Sequence, residues 1–133
     1  MDQTTKEEVR DRAGGRCEYC CLPEAHVLTP FQVEHVVAKQ HRGGDSLGNL
    51  AYACLRCNLH KGPNLTGIDP KTRKLTRLFN PRRHLWARHF RWAGAILVGK
   101  SPVGRTTVEV LAINDSVRIA LRQELMDRGL FST

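Results

Sequence analysis

Polar and apolar positions alternate in three ways along the chain. Thr4 and Thr5 are each followed three residues later by Glu7 and Glu8, a capping-box spacing that predicts a helix running to about Ala13. Gly14-Gly15 would end it. Phe31 to Val37 alternates polar and apolar residues and is rich in β-branched ones, which predicts a strand, with Leu50-Ala51-Tyr52-Ala53 as its partner. Gly43-Gly44-Asp45-Ser46 marks the loop between them, and the stretch after Cys57 suits one or two helical turns stopped by Gly62-Pro63. Farther on, Gly94 to Gly99 and Thr106 to Ala112 read as a β-hairpin around Ser101-Pro102-Val103-Gly104. Asn114, Asp115 or Ser116 then caps a last helix, with Val117, Ala120, Leu121 and Leu125 on one face and Gly129 at its end. The expected class is α+β.

At 133 residues the chain fits one domain, small enough that an additional staple would help its core. No apolar run approaches the ~18–20 residues that span a bilayer, and the polar, acidic first residues are no signal peptide. A cytoplasmic setting is expected, where the five cysteines favour metal ligation over disulfides. The net charge of +8 points to a polyanion as partner. From Lys71 to Arg91 there is no acidic residue, and Arg73, Lys74, Arg77, Arg82, Arg83 and Arg88 are candidate nucleic-acid contacts. Phe79 and Trp86, interleaved with them, are expected in the core rather than as stacking platforms.

Cys17-x-x-Cys20 and Cys54-x-x-Cys57 offer two pairs of sulfurs on two separate turns, the tetrahedral set of a closed structural Zn²⁺ site. Cys21 is spare. Two CxxC pairs alone would also suit a non-catalytic zinc module that binds nucleic acid, so the segment between them decides. It contains Val33-Glu34-His35-Val36-Val37, then Gly43 to Leu50 around Asn49, then Cys54 to Gly62 around Asn58 and Lys61. Neutral imidazole is a natural base near pH 7, so His35 in this stretch is a candidate general base.

These words, over residues 17 to 62, resemble the HNH endonuclease family in its zinc-stabilised ββα-metal form. Leu78-Phe79-Asn80-Pro81-Arg82 with Trp86 and His89-Phe90 looks like the tail of stand-alone bacterial and phage members. The resemblance implies that Glu34 and Asn58 hold one catalytic Mg²⁺ or Mn²⁺, that Asn49 fixes the loop and orients His35, and that Lys61 contacts phosphate. It further implies hydrolysis of DNA, expected double-stranded, leaving 5′-phosphate and 3′-hydroxyl ends. Two positions depart from the commoner pattern: Glu34 stands for Asp, and Asn58 for His. Adjacent strand residues face opposite ways, so Glu34 and His35 can meet at one phosphate only where the strand end twists or bulges. The expected organisation is a single nuclease domain, 1–133. Its parts are a zinc-braced ββα-metal core (1–63), a basic arm (64–91) and a hairpin-helix tail (92–133).

Overall fold

A computed structural model describes residues 1–133. The first helix, α1 (Gln3–Arg12), is capped by Asp2, whose carboxylate accepts from the Thr5 amide at 2.8 Å, rather than by Thr4 or Thr5. Gly14 and Gly15 end it with φ of 66° and 69°, where a β-carbon would be strained. The chain then turns through the first cysteine pair into β1 (Gln32–His35), shorter than the expected 31–37. β1 pairs antiparallel with β2 (Leu50–Ala53) in an unbroken register: Val33 opposite Tyr52, Glu34 opposite Ala51, His35 opposite Leu50. Cys54 caps α2 (Leu55–Lys61) through its sulfur, and Gly62 stops that helix.

The basic stretch is not a bare arm. It contains a second hairpin, β3 (Thr66–Ile68) with β4 (Leu75–Arg77), and a single turn of helix, α3 (Trp86–His89). The expected tail hairpin is displaced. β5 (Phe90–Ala93) pairs with β6 (Ile96–Gly99) around Gly94, while Thr106 to Val110 belongs to a helix, α4 (Pro102–Val110). Ser101 accepts from the Gly104 amide as its N-cap and Pro102 opens its first turn, so the residues read as a turn are a helix start. Packing overrides the β-branched run here. Gly67 leaves no room for a β-carbon, which would meet Val110 Cγ2 at 2.4 Å, so α4 lies directly on β3.

Asp115 caps the last helix, α5 (Ser116–Asp127). Its inward stripe is Arg118, Arg122 and Leu125, not Val117, Ala120 and Leu121 as the apolar pattern suggested; Val117 is 63% exposed. One apolar cluster runs from Val9 through Tyr19, Leu50, Phe79, Phe90 and Leu97 to Leu111 and Ile113. Phe79 is its aromatic centre, edge-on to Phe90 at 5.2 Å and to Tyr19 at 6.3 Å, and Trp86 covers it half-buried. The fold is α+β, with four buried cysteines gathered in it. No helix is long and apolar enough to cross a membrane.

Candidate active site and metal centre

The sulfurs of Cys17, Cys20, Cys54 and Cys57 all lie within 4.8 Å of one another. Cys20 and Cys54 Sγ are 3.7 Å apart, against about 3.8 Å for the edge of a tetrahedron with 2.3 Å metal–sulfur bonds. Each pair closes on itself in the same manner. The Cys20 amide donates to Cys17 Sγ at 3.5 Å, and the Cys57 amide to Cys54 Sγ at 3.4 Å. The donor set therefore fits a structural metal such as zinc. A divalent ion among four thiolates leaves two negative charges, and the tail supplies a cation against them. Arg118 Nη2 donates to Cys57 Sγ at 2.9 Å while Nη1 donates to the Leu111 carbonyl at 2.6 Å. Burial opposes the Arg118 charge, yet the field of Cys57, Cys20 and Cys54 holds its pKa above the usual guanidinium range. Cys21 stands outside the cluster with φ of 64°; burial pushes its thiol up to about 12, which disfavours the reactive thiolate.

The regular β1 register separates the two central motif residues. Glu34 points inward: one carboxylate oxygen accepts from the Tyr19 hydroxyl and the other sits 3.3 Å from Lys61 Nζ. His35 points to the opposite face, where Nε2 meets Asp45 Oδ1 at 2.7 Å. That oxygen also lies 3.4 Å from Lys39 Nζ. The His35 hydrogen bond, and then Lys39, hold the Asp45 carboxyl below its ordinary value. The ring opens onto a pocket of about 260 Å³ shared with Asp2, Thr5, Lys39 and Asp45.

Asn49 ties the intervening loop together. Its Oδ1 accepts from the Val37 amide at 2.9 Å, and its Nδ2 donates to the Val37 and Gly44 carbonyls at 3.0 and 2.8 Å. The backbone of Gly43 passes so close that a β-carbon there would meet the Val37 carbonyl oxygen at 1.7 Å. Lys61 is only 2% exposed and donates to the Val36 carbonyl at 3.1 Å, beside Glu34. Asn58 lies one helical turn before Lys61 on the stripe of α2 that faces β1, half-buried and making no side-chain hydrogen bond.

Burial raises the Glu34 carboxyl above its usual range, against the opposing pull of Lys61 and Tyr19. Each carboxylate oxygen has a second lone pair, so those partners do not exhaust it. Glu34 and Asn58 together offer the hard oxygen donors that Mg²⁺ and Mn²⁺ take, and on that chemistry they fit the ion.

Residues 17–64 match the family model described as HNH endonuclease. Over those residues the chain is similar to HNH endonucleases. No curated protein matches the chain, and no solved structure does. The matched segment contains all four clustered cysteines.

Of the basic candidates, Arg73, Lys74, Arg77, Arg83 and Arg88 are exposed. Arg82 is not available, because its guanidinium is paired with Glu18 beside the first cysteine turn. Three side chains at this centre escaped sequence reasoning: Asp45, read only as a loop residue; Tyr19, between two cysteines; and Arg118. A carboxylate in the loop after the histidine was the signal for Asp45. The four-residue spacing of Arg118 and Arg122 across an apolar helix face was the signal for the arginine.

Proposed function

We propose that the chain is a single-domain endonuclease that hydrolyses phosphodiester bonds of double-stranded DNA, with β1, β2 and α2 acting as a ββα-metal finger. The observation that carries this reading is the Asp45–His35 pair inside the HNH segment. A carboxylate can only accept, so His35 Nε2 carries the hydrogen and Nδ1 keeps its lone pair. Nδ1 takes the proton of the attacking water, and Asp45 holds the ring and stabilises the imidazolium that forms. Asn49 keeps the loop that carries Asp45 folded back on the strand. Glu34 and Asn58 would hold Mg²⁺ or Mn²⁺, which when bound supplies stabilisation of the charge on the phosphorane and the leaving 3′ oxygen. Lys61 braces Glu34 rather than touching phosphate. His35 and Glu34 leave β1 on opposite faces, so this reading requires the scissile phosphate to lie across the strand end. A thiolate zinc site and a DNA substrate both suit the cytoplasm.

One observation favours a second reading. Glu34 and His35 face opposite ways with no bulge between them, as would suit a zinc-braced module that binds nucleic acid without cutting it. Supercoiled plasmid incubated with Mg²⁺ or Mn²⁺ decides between them. Parent protein is expected to cleave, and His35→Ala to lose about 10²–10⁴-fold in rate while still binding DNA. Equal rates in the two proteins would remove His35 from the chemistry, and no cleavage by either would leave the binding module.

A further inference from the structure

Next to the motif loop lies a cleft of about 460 Å³ whose walls come from both sides of the HNH boundary. Val36 and Val37, directly after His35, form one wall with Asn49; Arg77, Arg83 and His84 form the other. No acidic residue lines it. The neighbouring arginines are treated differently by the fold: Arg82 is paired with Glu18, whereas Arg77 and Arg83 are exposed and take part in no ion pair. Their charge has no counterpart within the protein.

His84 adds a fixed donor. The Asn80 amide donates to its Nδ1 at 2.9 Å, so the neutral ring must carry its hydrogen on Nε2. That tautomer has no lone pair free at Nε2, which disqualifies it from ligating a metal there, although the His89 ring lies only 5.4 Å away, centroid to centroid. What remains is an N–H donor. Burial and the charge of Arg77 hold His84 below the ordinary histidine range, in keeping with a neutral ring at pH 7.

We infer that Arg77, Arg83 and the Nε2–H of His84 form a clamp for a DNA backbone phosphate beside the one that is cleaved. A phosphodiester offers only acceptor oxygens and one negative charge, which is what two guanidinium groups and a donor-only imidazole complement. The inference rests on the nuclease reading for its substrate, but it concerns binding and is measured apart from cleavage.

Affinity for a short fluorescent DNA duplex is measured against salt concentration in the His35→Ala background, which removes cutting. Taking one cation away from the DNA backbone lowers the slope of log affinity against log salt by about one, so Arg77→Ala with Arg83→Ala is expected to lower it by about two. Arg128→Ala, at the far end of α5, is expected to leave it unchanged. His84→Phe keeps a ring against Phe79, which lies 5.9 Å away centroid to centroid, and removes the donor. It is expected to weaken binding by about three- to tenfold with the slope intact, since the group removed is neutral. An unchanged slope in the double arginine variant overturns the clamp, as does absence of duplex binding by the His35→Ala protein. A smaller slope in His84→Phe overturns the neutral-donor role. Should the parent fail to cleave while the arginine variants lose their slope, the nuclease reading falls and the clamp stands. Normal cleavage with an unchanged slope gives the reverse.

Discussion

The HNH segment and the tail that follows it are held by different means. Within residues 17–64 the fixed points are chemical: four sulfurs in reach of one ion, Asn49 closing a loop, and Glu34 between Tyr19 and Lys61. Past Leu65 the order comes from helices and hairpins packed around Phe79, Phe90 and Leu97. Yet three side chains of the tail reach back to the cysteine turns. Arg82 pairs with Glu18, Trp86 Nε1 donates to the Tyr19 carbonyl at 2.9 Å, and Arg118 donates to Cys57 Sγ. The tail is thus an outer shell for the metal centre, supplying hydrogen bonds and positive charge that the segment lacks.

The largest break in this comparison is loss of the metal. Zinc bound to four thiolates contributes folding free energy on the order of 10 kcal/mol, comparable to the whole stability of a domain this size. Chelation, or Cys57→Ser, is expected to abolish the cooperative thermal transition seen by circular dichroism. A transition that survives chelation would mean the tail's core folds without the segment it embraces.

Arg118→Leu breaks the link at the other end. It removes the cation beside the sulfurs and leaves the Leu111 carbonyl without its donor, at a cost of about 3–5 kcal/mol. Metal affinity is expected to fall about 10–100-fold, as for other groups that support ligands. Arg122→Leu is the control. Its guanidinium donates to Ala95, Ile113 and Asn114 and to no sulfur, so stability falls while competition with a chromogenic chelator shows nearly unchanged zinc affinity.

These links also explain what could be read from the chain. The cysteine frame was legible because zinc restricts ligand type and spacing within four-residue words, and β1, β2 and α2 sit between those words. Arg118 was only partly legible: its spacing with Arg122 marked a shared face of α5, but its sulfur partner is 61 positions away and nothing local names it. Asp45 meets His35 only because Asn49 and the close approach at Gly43 fold the loop over. The misplaced hairpin has a local cause. Ser101-Pro102 serves equally as a turn and as a helix cap, and the absence of a side chain at Gly67, on another element, lets α4 pack where it does.

Within the tail, Asp69 gives a test confined to one side of the comparison. It is fully buried and accepts from Arg105 Nε and Nη2, from the Lys71 amide and from the Thr72 hydroxyl. The Arg105 bonds hold its carboxyl well below the usual range. A depressed carboxyl contributes stability that is complete above its unfolded value, about pH 4, and lost as pH falls toward the folded one. The ion pair's share of the stability should therefore fall as pH is lowered below about 4, in addition to the loss from protonating the four thiolates. Asp69→Asn should start lower at neutral pH and lose less over that window; parallel pH profiles would show that the ion pair contributes nothing to acid sensitivity.

The smallest expected effect separates charge from packing in the tail's grip. Trp86→Phe keeps an aromatic ring near Phe90 and Trp92, whose centroids lie 5.1 and 6.1 Å from that of Trp86, and removes one N–H donor from the Tyr19 carbonyl. Removing one neutral hydrogen bond, with an acceptor left short, costs about 1 kcal/mol, or about 3–5 °C in melting temperature for a chain of this length. The sulfurs of the first turn keep their own amide donor, so zinc affinity should stay within about twofold of the parent. If instead Trp86→Phe weakens zinc as strongly as Arg118→Leu, the tail acts on the metal by fixing the shape of the cysteine turn. If only the arginine exchange does so, positive charge delivered from the end of the chain is what the thiolate centre requires of its partner half.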